Sequence, residues 1–456
     1  MMAWAGVSAG LTLIAGVGIA PARPVPAPAP AGAEPRAVAA WPAGPMEVRV
    51  AFDRPVDPAV ASGAVGRSAT FGPKEAPAPG MSRPGGDGGA VRVAAARLDD
   101  GGRTLVLVTD PHPREATYRL PLDALKAPGA PGAGRAEAVA YALTGVEATW
   151  APAGGDDKPA WSGWWPGFDV AAARAALVGS AGHDRLWPLL DRPGKLTLRS
   201  FVALPAGPLA ATFASNGDFE ATVGTETAHA GADGRATVRV EAAAEPTEVL
   251  VALPTAPGRA PTLAWSVAPG NPPGAATVPP MAAHGLAWAP PPLPPVVAPE
   301  IPPGLARGGD PARGALVFAG EAAKCATCHR VRGQGGQIGP DLSNLSQTSR
   351  AWVYQNIVEP SASIHPDYMT YTVALKDGRT SMGTVRAEGA DGLRVGDNEA
   401  KFTTFPRAEV EEIRPSTSSI MPVGLLGAIG EEQARDLLAF LASPDQPPAP
   451  PAGVRP

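Results

Sequence analysis

The feature that most constrains this chain is where its prolines fall. Residues 270–280 read GNPPGAATVPP, and residues 289–303 read APPPLPPVVAPEIPP. Proline fixes φ and has no backbone N–H to donate, so a run this dense cannot join a ladder or continue a helix. It predicts an extended, polyproline-like spacer. A Pro/Ala tract covers Pro21 to Pro35, and a last Pro-rich tail runs from Pro444 to Pro456. A chain of 456 residues exceeds one ordinary core. The 56 Pro and 54 Gly are far above ordinary usage, and the clustering of proline in these runs points to compact modules joined by spacers, not to disorder throughout. The expected division is a leader at 1–22, a Pro/Ala linker at 23–45, β modules at 46–145 and 146–268, a Pro-rich linker at 269–305, a helical module at 306–443 and the tail at 444–456.

Leu11 to Ala20 (LTLIAGVGIA) form the heart of a small, apolar stretch that exits through Ala20 and Ala22. This is the form of a secretory signal. No Lys or Arg precedes the run, so an uncleaved membrane anchor or a misplaced start are the alternatives. The run falls short of the ~20 strongly apolar residues of a stable span, which favours cleavage. Either way the rest of the chain is expected to be exported, periplasmic or attached to the cell envelope, with membrane contact only through a retained N-terminal segment. A formal net charge of −5 argues against a nucleic-acid partner.

Met46 to Phe52 (MEVRVAF) alternates apolar and polar residues, the pattern of a half-buried strand. Ala90–Ala95, Arg103–Thr109 and Ala116–Leu120 are further strand-like runs, punctuated by Gly, Pro and Asp, which predicts a small sandwich. The phrases VRVAFDRPVDP (48–58) and DDGGRTLVLV (99–108) resemble bacterial Ig-like domains, which implies a structural or adhesive module. A second β region shows strand patterns at Lys195–Ala203, Leu209–Phe213, Ala236–Val240, Glu248–Leu253 and Thr262–Val267. Trp150, Trp161, Trp164 and Trp165 gather at its start beside Phe168. Such clusters sometimes bind carbohydrate, but rings this large more often serve as packing.

The only two cysteines, Cys325 and Cys328, are followed at once by His329, a C-x-x-C-H run. That is the attachment signature of c-type haem. Two thiols three positions apart can add to the two vinyl groups on one side of a porphyrin, and the next residue brings an imidazole under the iron. A redox dithiol needs no histidine and usually sits on a thioredoxin-like βαβ pattern, which is absent. Zinc would need two further ligands, and there is no second cysteine pair or H-x₃₋₅-H. Upstream, Asp310 and Pro311 form a helix start. Downstream, GPDL (339–342) opens a loop, and Ser349 caps a helix through Val358. Ala434, Leu437, Leu438 and Leu441 mark one face of a final helix over Gly430–Ala442. A haem that only moves electrons takes a sixth ligand, usually Met or His. Met369, Met382, Met421 and His365 are the candidates. Met421, followed by Pro422 in a loop before the last helix, is favoured, and His365 is the rival.

From Gly309 to Ala442 the chain resembles class I cytochromes c, and more closely the Pirellula/Verrucomicrobium-type haem-binding domain. The matching segments are C-x-x-C-H, GPDL, IVEPSASI (357–364), DYMTYTVALKDGRTSMG (367–383), IMPVGLL (420–426) and the closing DLLAFL. The resemblance implies one covalent haem c, with thioethers at Cys325 and Cys328, His329 proximal and Met421 distal. It also implies that the Pro340 carbonyl accepts the imidazole N–H of His329, a bond that fixes the ring. The family carries an insert, here 370–412, with strand patterns at Tyr371–Leu375, Arg379–Val385, Leu393–Gly396, Lys401–Phe405 and Val410–Ile413. Asp377-Gly378 is a hairpin signal, and five short strands suggest a small β-barrel.

The expected fold is therefore multidomain: two N-terminal all-β, sandwich-like domains, then a mostly α cytochrome c domain with the inserted barrel. The expected function is electron transfer with a redox partner protein such as a periplasmic dehydrogenase or oxidase, with no catalytic residue. The alternatives are a haem enzyme or the cytochrome subunit of a dehydrogenase complex, and a surface scaffold or adhesive protein that uses its β domains.

Overall fold

The structure, a computed structural model, describes residues 33–72, 89–154, 158–243, 245–270, 274–290, 300–343, 345 and 348–443. The expected leader, the linker up to residue 32, residues 291–299 of the Pro-rich linker and the tail at 444–456 lie outside the described residues.

In the first β region seven strands run in the order Ala37–Gly44, Glu47–Phe52, Thr104–Thr109, Gly89–Asp99, Ser68–Phe71, Thr117–Leu125 and Arg135–Ala142. Gly89–Asp99 joins two halves. Its start pairs with Ser68–Phe71, and its later part pairs with Thr104–Thr109 after a bulge between Val93 and Ala95. The bulge re-aims the strand. Val48, Val50, Phe52, Leu105 and Leu107 of one half then share a core with Phe71, Tyr118, Leu120 and Tyr141 of the other. The hydroxyl of Tyr118 donates to the Arg114 carbonyl at 2.5 Å and ties the strand to the loop before it.

This region starts earlier than its composition predicts. Residues 37–44, read as part of a 23–45 linker, form a strand against Glu47–Phe52. Successive alanines hide the alternation, and Pro42 is tolerated because an edge strand is paired on one side only. Trp41 is buried there, 4.8 Å between ring centroids from His183 of the second β region.

The second region has two sheets. One runs Glu226–His229, Glu220–Val223, Thr247–Thr255, Gly194–Val202, Val146–Pro152 and Trp161–Trp165. The other runs Arg235–Ala242, Gly207–Ala214 and Ala264–Pro269. Leu196, Leu198, Val249 and Val251 meet Leu209, Phe213, Val238 and Trp265 in one core. The tryptophans are packing residues. Trp150, Trp161 and Trp165 are buried, and the ring N–H groups of Trp150, Trp161 and Trp164 donate to Thr255 Oγ1, the Gly182 carbonyl and the Thr144 carbonyl at 2.8–3.0 Å.

The described part of the expected 269–305 spacer is not free. Thr277 exchanges both backbone bonds with Val267. His284 and Gly285 pair with Val202 and Phe201, and Trp288 packs on the first region's core. Residues between the prolines keep their N–H groups and apolar side chains, so this stretch straps the two β regions together.

In the C-terminal part, the helix Pro311–Ala319 crosses the helix Leu425–Leu441. Asp310 caps the first by accepting from the Ala312 and Arg313 N–H groups. The crossing is close at Gly314, where any Cβ would collide with the Asp436 carbonyl. Phe318 and Phe440 meet at 5.5 Å. Gly430, at φ 76°, breaks the last helix into a short leading turn and a main segment that buries Ala434, Leu437, Leu438 and Leu441 as their spacing predicts. Ser349 caps the helix Arg350–Val358. Leu305 already belongs to this core, so the module reaches back into the expected linker.

All five insert strands form, at Thr370–Leu375, Thr380–Glu388, Gly392–Gly396, Phe402–Pro406 and Val410–Ser416. They make one antiparallel sheet with Val410–Ser416 beside Thr370–Leu375 and Phe402–Pro406 at the far edge. Among the described residues no ladder joins the two outer strands, so the expected barrel is an open sheet. Strand Thr380–Glu388 overshoots its neighbour, with which it pairs only at 380–384. The Arg92–Asp110 pair of the first β region fills the free edge. The Ala387 N–H donates to Asp110 Oδ1 at 2.7 Å, and Arg92 donates to the Ala387 carbonyl at 2.8 Å. Tyr371 donates to the His112 carbonyl at 3.1 Å, and Met46 enters the insert's apolar core. No described helix is long and apolar enough to cross a membrane.

Candidate haem site

Cys325–Cys328 forms a single helical turn that starts after Lys324, which adopts a left-handed conformation at φ 51°, and ends at an extended His329. The following loop retraces that turn. The N–H groups of Gly336, Gly339 and Leu342 donate to the carbonyls of Ala326, Cys328 and Arg330 at 2.8–2.9 Å. Glycine makes this approach possible. A Cβ at Gly335 or Gly336 would collide with the carbonyl of His329 or Thr327. At Gly339 it would lie 2.6 Å from Cε1 of the His329 ring. GQGGQIGP is thus built as a flush cover for one side of the turn and its imidazole.

His329 Nδ1 lies 3.0 Å from the Pro340 carbonyl. A carbonyl only accepts, so Nδ1 carries the proton and Nε2 keeps its lone pair. Among the described residues Nε2 has no hydrogen-bond partner. Burial holds the imidazole below its ordinary pKa, against the smaller opposite effect of the Pro340 bond. The ring is therefore neutral and presents its lone pair. Cys325 and Cys328 are free, half-buried thiols. Burial pushes Cys325 up to about 12 and also raises Cys328, to which the nearby Asp397 charge adds.

Of the four candidate sixth ligands, Met421 joins the apolar cluster that contains Cys325, Leu342 and Leu345. Its loop is pinned by the Met421 N–H to Ser419 Oγ and the Ser419 N–H to Ser361 Oγ, both 3.1 Å. Met369 is buried in the insert's own core, and Met382 is half exposed on its surface. His365 accepts from the Asp367 N–H at 3.2 Å and rests against Tyr368, beside the seam with the first β region. Cys325 and Met421 thus pack against one apolar cluster, His329 is tied to Pro340, and Met369, Met382 and His365 lie elsewhere.

The donor set suits a c-type haem: two neutral thiols on one turn, a neutral imidazole held by its far nitrogen, and a thioether in the same apolar cluster. Residues 311–387 match the Cytochrome c family model. The matched segment is a c-type cytochrome domain that contains the C-x-x-C-H turn and the Pro340 loop, and it stops before Met421 and the last helix. No curated protein matches the chain. Among solved structures, the chain is similar to a PA14 sugar-binding domain from an RTX adhesin. The identity is 11%, over 32% of this chain and 98% of that one, at a TM-score of 0.24. It is similar to the N-terminal part of the bacterial S-layer protein SbsC at 15% identity, over 26% of each chain, with a TM-score of 0.19. A third is an anti-sigma factor domain-containing protein at 9% identity, over 52% of this chain and 84% of that one, TM-score 0.25. Likeness this slight fixes neither fold nor role.

Two parts of the site escape the sequence reading. One is Gly339, whose lack of a side chain admits the imidazole. The other is the insert, whose Gly396–Asp397 end reaches the haem-attachment turn. The glycine-rich GQGGQIGP was the available signal for the first, and nothing local signals the second.

Proposed function

We propose that this is an exported, single-haem c-type cytochrome that carries electrons between redox partners and performs no step of its own on a substrate. The observation that carries this reading is the C-x-x-C-H turn with His329 anchored through Nδ1 to Pro340. Such an anchor raises the basicity of the ligating nitrogen and fixes the ring plane. Cys325 and Cys328 would hold the porphyrin as thioethers, and His329 and Met421 would ligate the iron. When bound, the haem supplies a one-electron ferric–ferrous couple. The chain's own part would be to orient His329 through its Nδ1–Pro340 bond and to present the Met421 thioether from a pinned loop beside the apolar cluster. The β regions and the strap between them would then position the module toward a partner such as a periplasmic dehydrogenase or oxidase. Their Ig-like character belongs to this reading.

The purified full-length chain should retain haem through denaturing electrophoresis. Its pyridine haemochrome should give one haem per chain, and its mass should fit removal of an N-terminal leader. Haem lost on denaturation, or a stoichiometry other than one, would overturn the proposal. Co-purification with a dehydrogenase would identify the donor side.

A further inference from the structure

Glycine at position 396 is not required by its backbone. The residue lies at the end of strand Gly392–Gly396, paired with Thr384, and has no positive φ. It is required by space. A Cβ there would lie 2.9 Å from Ile338 Cδ1, 2.9 Å from Phe402 Cε1 and 3.1 Å from Thr384 Oγ1. Phe402 is 43% exposed at the surface, whereas Ile338 is 3% exposed, so a Cβ at 396 would press on a buried side chain of the 337–340 loop. Ile338 directly precedes Gly339, which lies against the His329 ring, and Pro340, whose carbonyl holds Nδ1.

We propose that the insert is a positioning clamp for the proximal histidine: Gly396 seats on Ile338, and this holds loop 337–340 so that the His329–Pro340 bond stays closed. The clamp is backed from the far side. Strand Thr380–Glu388, the ladder partner of Gly392–Gly396, is fastened at Ala387 to Asp110 and Arg92 of the first β region. A side chain at Ile338 too small to be pressed, or one at 396 too large to seat, should therefore loosen a bond in which neither residue takes part. Both act as positioning residues and touch none of the expected ligand atoms.

The test rests on the proposed haem binding, so the parent is first checked for one covalent haem by pyridine haemochrome. A parent without haem counts against that reading, not against the clamp, and the comparison is made on haem-loaded variants. The readout for the clamp is hydrogen exchange of the His329 Nδ1 proton in the reduced holoprotein by NMR, together with the midpoint potential. Gly396→Val should speed exchange about tenfold or more, the scale expected when a hydrogen bond of ordinary net strength is freed to open. It should also raise the potential, because a less anchored imidazole donates less to the ferric iron. Ile338→Ala, which leaves the insert strand untouched and guards against misfolding of the first variant, should speed exchange in the same direction. In Gly396→Val/Ile338→Ala the new side chain occupies the vacated space, and both quantities should return to within about twofold of the parent. Unchanged exchange in haem-loaded Ile338→Ala, or a double variant no closer to the parent than Gly396→Val, would overturn the clamp.

Discussion

The second β region and the haem module solve the same problem with different means. The β region has two sheets and a core of tryptophan, phenylalanine and leucine, with Trp165 and Phe213 fully buried between them. Among the described residues the haem module has three helices longer than one turn, two of which meet closely where Gly309 and Gly314 approach the backbone of the last helix. Its expected haem-binding residues sit on one helical turn, on the loop that retraces that turn and on the loop before the last helix. Large buried rings can sustain a fold unaided, whereas a small helical module gains stability from anything that binds its folded state. On the proposed function the two regions would differ in what sustains them: the β regions their own packing, the haem module covalent attachment.

The largest expected effect separates them outright. Cys325→Ser/Cys328→Ser should abolish covalent haem and melt the haem module at a much lower temperature, while tryptophan fluorescence from the β regions keeps its unfolding transition. A coincident collapse of both regions would break the comparison. In the opposite sense, Trp165→Ala should cost the second β region about 3–5 kcal/mol in denaturant unfolding and leave the haem spectrum unaltered.

Acid should also act on the β regions first. His112 is buried, bonded to the Pro45 carbonyl and the Tyr141 hydroxyl, and burial lowers its pKa to about 4; His183 is lowered to about 4 by the same cause. A folded value below the unfolded value of 6.5 means that the unfolded chain takes up protons first as pH falls. The stability is therefore complete above pH 6.5 and is lost on the way down to about pH 4. For His112 the loss amounts to roughly 3 kcal/mol. Melting of the β regions followed from pH 7 to pH 4.5 should show this fall, and a flat profile would contradict the buried neutral assignment.

The smallest effect lies within the haem module. Asp436 is buried at the helix crossing and accepts from the Asp310 N–H and from Arg313 Nε, both at 2.6 Å; its hydrogen bond from Arg313 holds its carboxyl below the usual range. Asp436→Ala leaves the Asp310 N–H without its partner at the crossing and should cost about 1–3 kcal/mol, read as earlier melting of the haem band alone.

What could be read from the residues divides along similar lines. Local signals carried well. Asp310-Pro311 and Ser349 start helices, Asp377-Gly378 turns the insert's first hairpin, alternation locates Glu47–Phe52, and a short apolar run locates Thr104–Thr109. Alanine-rich stretches carried poorly. AVAAWPAG and RAEAVAYA form strands at 37–44 and 135–142 with little contrast between faces. The helix at Ala59–Ala64 is only six residues long, too short to show a periodicity. Least legible were pairings across long separations, such as Asp110 with Ala387 or Gly396 with Ile338. Neither partner is unusual alone, and only the fold brings them together.

The central claim is one haem held between His329 and Met421, and the oxidised visible spectrum tests it most directly. The parent protein should be six-coordinate and low-spin, with a weak thioether-to-iron band near the red end, and Met421→Ala should lose that band while it keeps its covalent haem. A five-coordinate, high-spin parent, or a Met421→Ala variant with an unchanged spectrum, would contradict it.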